Sequence, residues 1–156
     1  FRLLAQEAGV SLINQFDGEL PLIKGDPVKL RQIFTNLISN AIKFTQPGGS
    51  ITIIAHRVAD GGTAITVRDT GVGMSEEEIA VALTPFGQVD SSRTRWREGT
   101  GLGLPISRAL VELHGGTLEI RSQKSVGTEV SVYLPSRSQV QVTQSHEAIQ
   151  QAAQIA

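Results

Sequence analysis

The residues with the most chemical content fall in four places along the chain. Lys29, Gln32, Asn36, Asn40 and Lys43 recur at three- and four-residue spacing, which sets them in one stripe along a helix. Such a stripe is ordinarily a solvated helix face. Two asparagines weigh against that reading, because Asn competes for backbone hydrogen bonds and an unconstrained surface is better served by Glu or Lys. Amide oxygens are hard, neutral ligands suited to Mg²⁺, and a lysine one turn on neutralises phosphate oxygens. Spacing alone leaves both readings open.

Asp69 is the second. Ile65, Val67 and Asp69 alternate onto one strand face, Ala64, Thr66 and Arg68 onto the other, so a carboxylate ends an apolar row. A buried polar group without a partner costs about 1–3 kcal/mol, and a charged one more. The partner is either the backbone of the Asp69-Thr70-Gly71 turn or a ligand donor such as an exocyclic amine. Gly71 and Gly73 would let the backbone approach such a ligand closely.

The third is Gly99-Thr100-Gly101-Leu102-Gly103-Leu104, which opens into a helix starting near Pro105. Glycines at a helix N-terminus expose amide N–H groups beside the positive end of the helix dipole, a ready phosphate cradle. The run is not a Walker A loop, since no Gly-Lys-Ser/Thr follows, and no strand precedes it as a dinucleotide fingerprint requires. Arg93, Arg95 and Arg97 lie just upstream, either as a solvated charge run or within reach of a terminal phosphate. Fourth, Thr128 shares a strand face with Val130, Val132 and Leu134. Its hydroxyl either bonds the local backbone or, with Asp69, fixes the polar edge of a base directly or through water.

A frame for these groups can be read from the pattern around them. Residues 1–9 resemble the end of a short helix stopped by Gly9, and residues 10–16 partly alternate as a strand before an Asp17-Gly18 turn. Asp26-Pro27 announces a helix whose apolar face is Leu30, Ile33, Phe34, Leu37, Ile38, Ala41 and Ile42. Residues 51–57 and 64–69 predict two strands joined at Asp60-Gly61-Gly62, and Ser75 with Glu78 a capping box. Residues 84–103 form a long polar stretch of the kind used for lids. Ile106, Ala109, Leu110 and Leu113 mark a further helix, followed by strands over 117–121 and 127–134. Interleaved helices and antiparallel-leaning strands predict a two-layer α/β sandwich.

The chain has 156 residues, 40% hydrophobic and 19% charged, enough apolar content for one core. Fourteen Lys and Arg against fifteen Asp and Glu give no global basic field for nucleic acid or an anionic membrane. The absence of cysteine excludes a disulfide framework, a thiolate metal site and a Cys nucleophile. No bilayer-spanning run or signal peptide is present, so a cytoplasmic domain is expected, either free or as part of a membrane sensor. Starting at Phe1 without Met, the chain reads as a piece of something longer. The expected division is a helix end or linker over 1–9, a domain over 10–135 and a Gln/Ser/Ala-rich C-terminal extension or linker over 136–156.

In this order, the four features resemble the catalytic and ATP-binding domain of two-component sensor histidine kinases, within the GHKL (Bergerat-fold) ATPase superfamily. Leu37 to Thr45 is similar to the family's N box, Asp69 to Met74 to its first glycine box and Phe86 to Asp90 to its F box. Gly99 to Leu104 is similar to the second glycine box, and Gly127-Thr128 to the terminal Gly-Thr. The resemblance implies an α/β sandwich with a mixed, about five-stranded sheet, three helices on one face and a long ATP lid. It implies that Asn40, assisted by Asn36, binds the Mg²⁺ of ATP, and that Lys43 contacts phosphate; these three form the catalytic set. Phe44 would line the nucleotide site, Asp69 accept from the adenine amino group with Thr128 supporting through water, and Gly71 and Gly73 shape the adenine pocket. Gly101, Leu102, Gly103 and Leu104 would offer the phosphates the helix-start backbone, under a lid hinged around Phe86 and carrying Arg97.

Glu98-Gly99 stands where the family often has Gly-Gly, which adds negative charge near the phosphates, and Trp96 has no assigned role. The phosphoacceptor histidine domain is missing: His114 is expected to cap a helix, His56 lies in a strand and His146 in the tail. The expected function is therefore binding of Mg-ATP and donation of its γ-phosphate to a histidine on a dimerisation domain N-terminal to Phe1. A response-regulator receiver domain is the expected downstream partner, with the fragment monomeric and the full-length protein homodimeric. The alternative is a non-catalytic nucleotide-binding module that docks a response regulator, motivated by Glu98 and the unusual lid. A gyrase-type hydrolase ranks last, because Gln32 and Asn36 stand where its catalytic Glu is usual.

Overall fold

The computed structural model describes residues 1–88 and 100–136. Within them the chain runs α1 (Arg2–Glu7), β1 (Ser11–Asp17), α2 (Pro27–Phe44), β2 (Ser50–Arg57), β3 (Thr63–Asp69), α3 (Glu76–Ala82), α4 (Gly103–Leu113), β4 (Thr117–Gln123) and β5 (Gly127–Leu134). One open five-stranded sheet has the order β1-β2-β3-β5-β4. β1 and β2 are parallel, and the remaining neighbours are antiparallel, so the sheet is mixed as expected. Four helices are present among the described residues where the resemblance implied three, because α1 is added at the start.

Alternation divides each strand between two environments. Ile51, Val67, Val130, Val132 and Leu134 face Ile33, Leu37, Ile38 and Ala41 of α2 and Val111 of α4, which together make the core. Val67, Ile33, Val111 and Val132 are fully buried, so one sheet face and two amphipathic helices hold the fold through apolar burial. Across the other face run polar pairs, Thr66 with Ser131 and Arg68 with Glu129.

Local chemistry sets the helix ends. Asp26 accepts from the Val28 and Lys29 amides at 2.8 and 3.3 Å, with Pro27 in the first turn where its missing N–H is not needed. The same backbone bonds hold its carboxyl below the ordinary range. Ser75 and Glu78 make a reciprocal capping box at the start of α3. At the end of α4, Gly115 takes φ +71°, and His114 does more than cap. Its Nδ1 bonds Leu110 O at 2.7 Å while Nε2 accepts from the Asp26 amide at 3.1 Å, tying the end of α4 to the start of α2. With Nε2 accepting, the ring proton that bonds Leu110 O sits on Nδ1.

Two boundaries differ from expectation. α4 begins at Gly103, not near Pro105, because the Leu102 carbonyl already accepts from Ile106 N at 3.0 Å. β4 continues past Arg121 to Gln123, carried by its pairing with Gly127 and Thr128 of β5. Most of the long polar stretch, residues 89–99 with Arg93, Arg95, Trp96, Arg97 and Glu98, lies outside the described residues, as does the tail from 137 with His146.

Candidate nucleotide-binding site

The site begins at the end of the core row. Asp69 on β3 is paired directly with Thr128 on β5, and Thr128 with Ser122 on β4, so three polar side chains stand abreast on the helix-covered face. The turn reading of Asp69 holds: its Oδ1 accepts from the amides of Gly71 at 2.8 Å and Thr128 at 3.2 Å. Both bonds fall on one oxygen, which leaves Oδ2 without a partner among the described residues. Burial pushes the Asp69 carboxyl upward, and the two backbone donors oppose it. A carboxylate only 8% exposed with one oxygen uncommitted is an acceptor waiting for a donor.

Gly71 and Gly73 owe their identity to backbone packing inside the protein. A Cβ on Gly71 would collide with the Phe44 carbonyl, which accepts from Val72 N at 3.1 Å. Gly73 has φ +63°, and a Cβ there would collide with the Gln123 carbonyl. These contacts hold the turn after Asp69 between the end of α2 and the β4–β5 hairpin, so the glycines shape the wall by closing it. Phe44 is partly exposed at this end of α2, with the Lys43 ammonium 5.1 Å from its ring centroid, a cation–π contact.

Farther back along α2 the polar stripe divides. Lys29 pairs with Asp26 at 4.0 Å and Gln32 is exposed, so its first half is a solvated face. Its second half turns toward α4. Asn36 Nδ2 donates to Gly103 O and Ser107 Oγ, both at 3.3 Å, which commits its nitrogen to holding the two helices together. The metal-capable atom of Asn36 is thus Oδ1. A Cβ on Gly103 would stand 3.7 Å from Asn40 Nδ2 and 3.9 Å from Asn36, so the missing side chain leaves a notch between the asparagines and the start of α4.

The N-cap of α4 is Leu102, which makes no side-chain cap. The amides of Gly103 and Leu104 have no partner among the described residues, and Pro105 has none to offer. An uncapped N-terminus facing two asparagine amides attracts anions and suits a hard cation bridging them. No cluster of three or more His, Cys, Asp or Glu able to hold a metal occurs among the described residues, so a cation here would lean on amide oxygens and on the ligand's phosphates. The residues present fit a magnesium–phosphate group.

The ends of the lid stretch are pinned to each other. Phe86 N donates to Gly101 O at 3.1 Å, and a Cβ on Gly101 (φ +67°) would press on the Phe86 backbone at 2.7 Å. Phe86 itself has φ +63°, a strained value for a bulky residue, and its ring is exposed. Arg97 lies outside the described residues. Ser122 was absent from the sequence expectations. The alternation Leu118, Ile120, Ser122 would have found it had the strand not been ended at Arg121.

A mixed sheet covered by two helices, with an acidic acceptor at one end of the gap and an uncapped helix start at the other, is the architecture of a nucleotide-binding α/β sandwich. Residues 25–138 match the family described as histidine kinase-, DNA gyrase B-, and HSP90-like ATPases, and the chain belongs to that family. It is an ATP-binding domain of the histidine-kinase kind. The circadian input-output histidine kinase CikA of Synechococcus elongatus is 39% identical over 144 residues, covering 92% of this chain. The cell-division control histidine kinase PdhS of Brucella abortus is 38% identical over 139 residues, covering 84%. The chain spans 19% and 13% of the lengths of these two relatives. Among solved structures, full-length ShkA in complex with AMPPNP superposes with a TM-score of 0.72 at 29% identity, over 85% of this chain and 27% of that one. The mycobacterial sensor histidine kinase MprB gives 0.73 at 25%, over 87% and 90%. No helix among the described residues is long and apolar enough to cross a membrane.

Proposed function

We propose that this domain binds Mg-ATP and donates its γ-phosphate to a histidine on a separate dimerisation and phosphoacceptor domain in two-component signalling. The observation that carries the reading is the alignment of two complementary ends along α2. The uncommitted Asp69 oxygen adjoins the Phe44 end, and the notch of Asn36, Asn40 and the α4 amides lies one to two turns earlier. One to two helical turns span roughly 5–11 Å, the scale of a nucleoside triphosphate laid along the helix. The AMPPNP-bound relative supports the same ligand class.

Asn40 and the Asn36 Oδ1 hold the cation in this reading, and Lys43 neutralises phosphate oxygens. Held by these two asparagines, Mg²⁺ would supply further charge neutralisation at the phosphates. The amides over Gly101, Leu102, Gly103 and Leu104 orient the phosphate chain, and Phe86 and Arg97 belong to the lid that excludes water. Asp69 and Thr128 take the base edge, against the wall closed by Gly71 and Gly73 and lined by Phe44. The chain supplies position and charge, which dominate phosphoryl transfer, and leaves proton removal to an acidic neighbour of the acceptor histidine. We place the ATP-binding domain at 10–135, a helix end or linker at 1–9 and an extension or linker at 136–156, in a cytoplasmic protein. The fragment would be a monomer, and the whole protein a homodimer that passes phosphate to a receiver domain.

Mixing the chain with labelled ATP and a separately produced dimerisation domain tests this. Label is expected on the acceptor histidine only when both parts are present, and Asn40→Ala should reduce the rate by about 10²-fold. Rapid ATP turnover by the isolated chain, with no acceptor added, would contradict this division of labour.

A further inference from the structure

Ser122 sits at a three-way junction. Its Oγ accepts from Met74 N at 2.7 Å, donates to Gly127 O at 3.0 Å and lies 2.8 Å from Thr128 Oγ1. A hydroxyl has one proton and two lone pairs. The Met74 amide can only donate and the Gly127 carbonyl can only accept. Every contact is satisfied at once only if Ser122 gives its proton to Gly127 and receives the one from Thr128. The Thr128 hydroxyl then has no proton left for anything on its open side, and toward a ligand it is an acceptor.

This polarity matters because of what stands beside it. Thr128 is directly paired with Asp69, whose Oδ2 is also an uncommitted acceptor. Two neighbouring acceptors of fixed sense select a base edge that offers a donor and oppose one that offers a carbonyl, since an acceptor facing an acceptor leaves both unpaired. A threonine free to rotate its proton would lack half of that discrimination.

We propose that Ser122 is a specificity-determining positioning residue: by claiming the Thr128 proton, it makes the base site select 6-amino over 6-oxo purine nucleotides. The inference rests on the nucleotide reading above and assigns the base-edge preference within it. Ser122 touches no ligand; it acts through Thr128. Remove its hydroxyl and the Thr128 proton becomes available to a 6-oxo group.

The test measures dissociation constants for a non-hydrolysable ATP analogue and its inosine counterpart, with melting curves, on the whole chain. The variants are Ser122→Ala, Ser122→Thr, Thr128→Val and the Ser122→Ala/Thr128→Val pair. The preference for the 6-amino ligand should narrow about tenfold in Ser122→Ala and return in Ser122→Thr, which keeps the hydroxyl. In the Thr128→Val background, adding Ser122→Ala should change the preference by less than about twofold, because the residue it acts through is gone. Should the alanine variant not fold, Ser122→Cys replaces it, as a thiol is a poor acceptor for the Thr128 proton. Equal weakening of both ligands would overturn the proposal in favour of a merely structural serine, as would narrowing that persists without Thr128. Failure of the unaltered chain to bind either nucleotide would overturn the site reading itself, and this inference with it.

Discussion

Asp69→Asn is expected to weaken binding of an ATP analogue at least about thirtyfold while leaving the fold as stable or more stable. The two effects have separate causes. Asparagine keeps an oxygen able to accept from the Gly71 and Thr128 amides, so the turn after β3 retains its anchor. It replaces the uncommitted oxygen with an NH₂ group, so a donor now faces the exocyclic amine. Losing a charge-assisted hydrogen bond at a buried site costs about 2 kcal/mol, which is about thirtyfold in affinity. The stability side follows from the upward displacement of the Asp69 carboxyl by burial. A group that holds its proton more tightly folded than unfolded contributes stability below the unfolded value and loses it as pH rises through the folded one. The unaltered protein therefore loses ground to the variant as pH rises from the ordinary carboxylate value near about 4 through the raised folded value, with no further change attributable to this group above it. Urea melts of both proteins across that range, beside calorimetric titration at neutral pH, check both halves.

Gly127→Ala should destabilise the domain by about 3 kcal/mol or more. Gly127 has φ +138°, and a Cβ there would collide with the Asp69 carbonyl and stand 3.0 Å from Thr70 Cα. Backbone strain costs about 1–3 kcal/mol and overpacking a further 1–3 kcal/mol. No flexible side chain can yield, because the obstacles are backbone, so β5 must shift and the Asp69–Thr128 pairing open. At roughly 2–4 °C per kcal/mol for a chain of this size, the melting temperature should fall about 6–12 °C. Gly103→Ala provides the contrast. Gly103 opens α4 and has no neighbour closer than 3.7 Å to a built Cβ, so the fold should tolerate alanine within about 2 °C. That methyl group would enter the notch beside Asn40, so nucleotide affinity should fall although stability does not. Thermal melts with and without analogue separate a glycine required by the chain from one required by its ligand.

Asp69 and Thr128 were legible because period-two alternation puts a polar side chain at the end of an apolar row, a signal confined to a few consecutive residues. Asp26-Pro27 and Ser75-Glu78 were legible for the same reason, since capping chemistry is complete within one helical turn. What escaped depends on partners far away in the chain. Asn36 spends its amide nitrogen on Gly103 and Ser107, 67 and 71 residues on, which no spacing rule on α2 reveals. His114 was expected only to cap, and its second bond reaches Asp26 across 88 residues. Ser122 was lost because Ser122-Gln123-Lys124-Ser125 is polar enough to read as a turn, while pairing with β5 keeps its first two residues in the strand. The glycines after Asp69 suggested room for a ligand, and it is the Phe44 and Gln123 carbonyls that fill the space. The mixed character of the sheet came from the resemblance; the order β1-β2-β3-β5-β4 is a tertiary result that pattern reading does not reach.

The most direct test of the central claim is calorimetric titration of the chain with a non-hydrolysable ATP analogue, with and without Mg²⁺. The geometry of Asp69 at one end and of Asn36, Asn40 and the α4 amides at the other predicts saturable one-site binding, strengthened at least about tenfold by the cation. At a hundred times the dissociation constant, the analogue should add about 2.7 kcal/mol to stability, readable as a rise in melting temperature. Absence of both heat and melting shift in either condition would contradict the account, leaving a fold that carries the family's residues without their ligand.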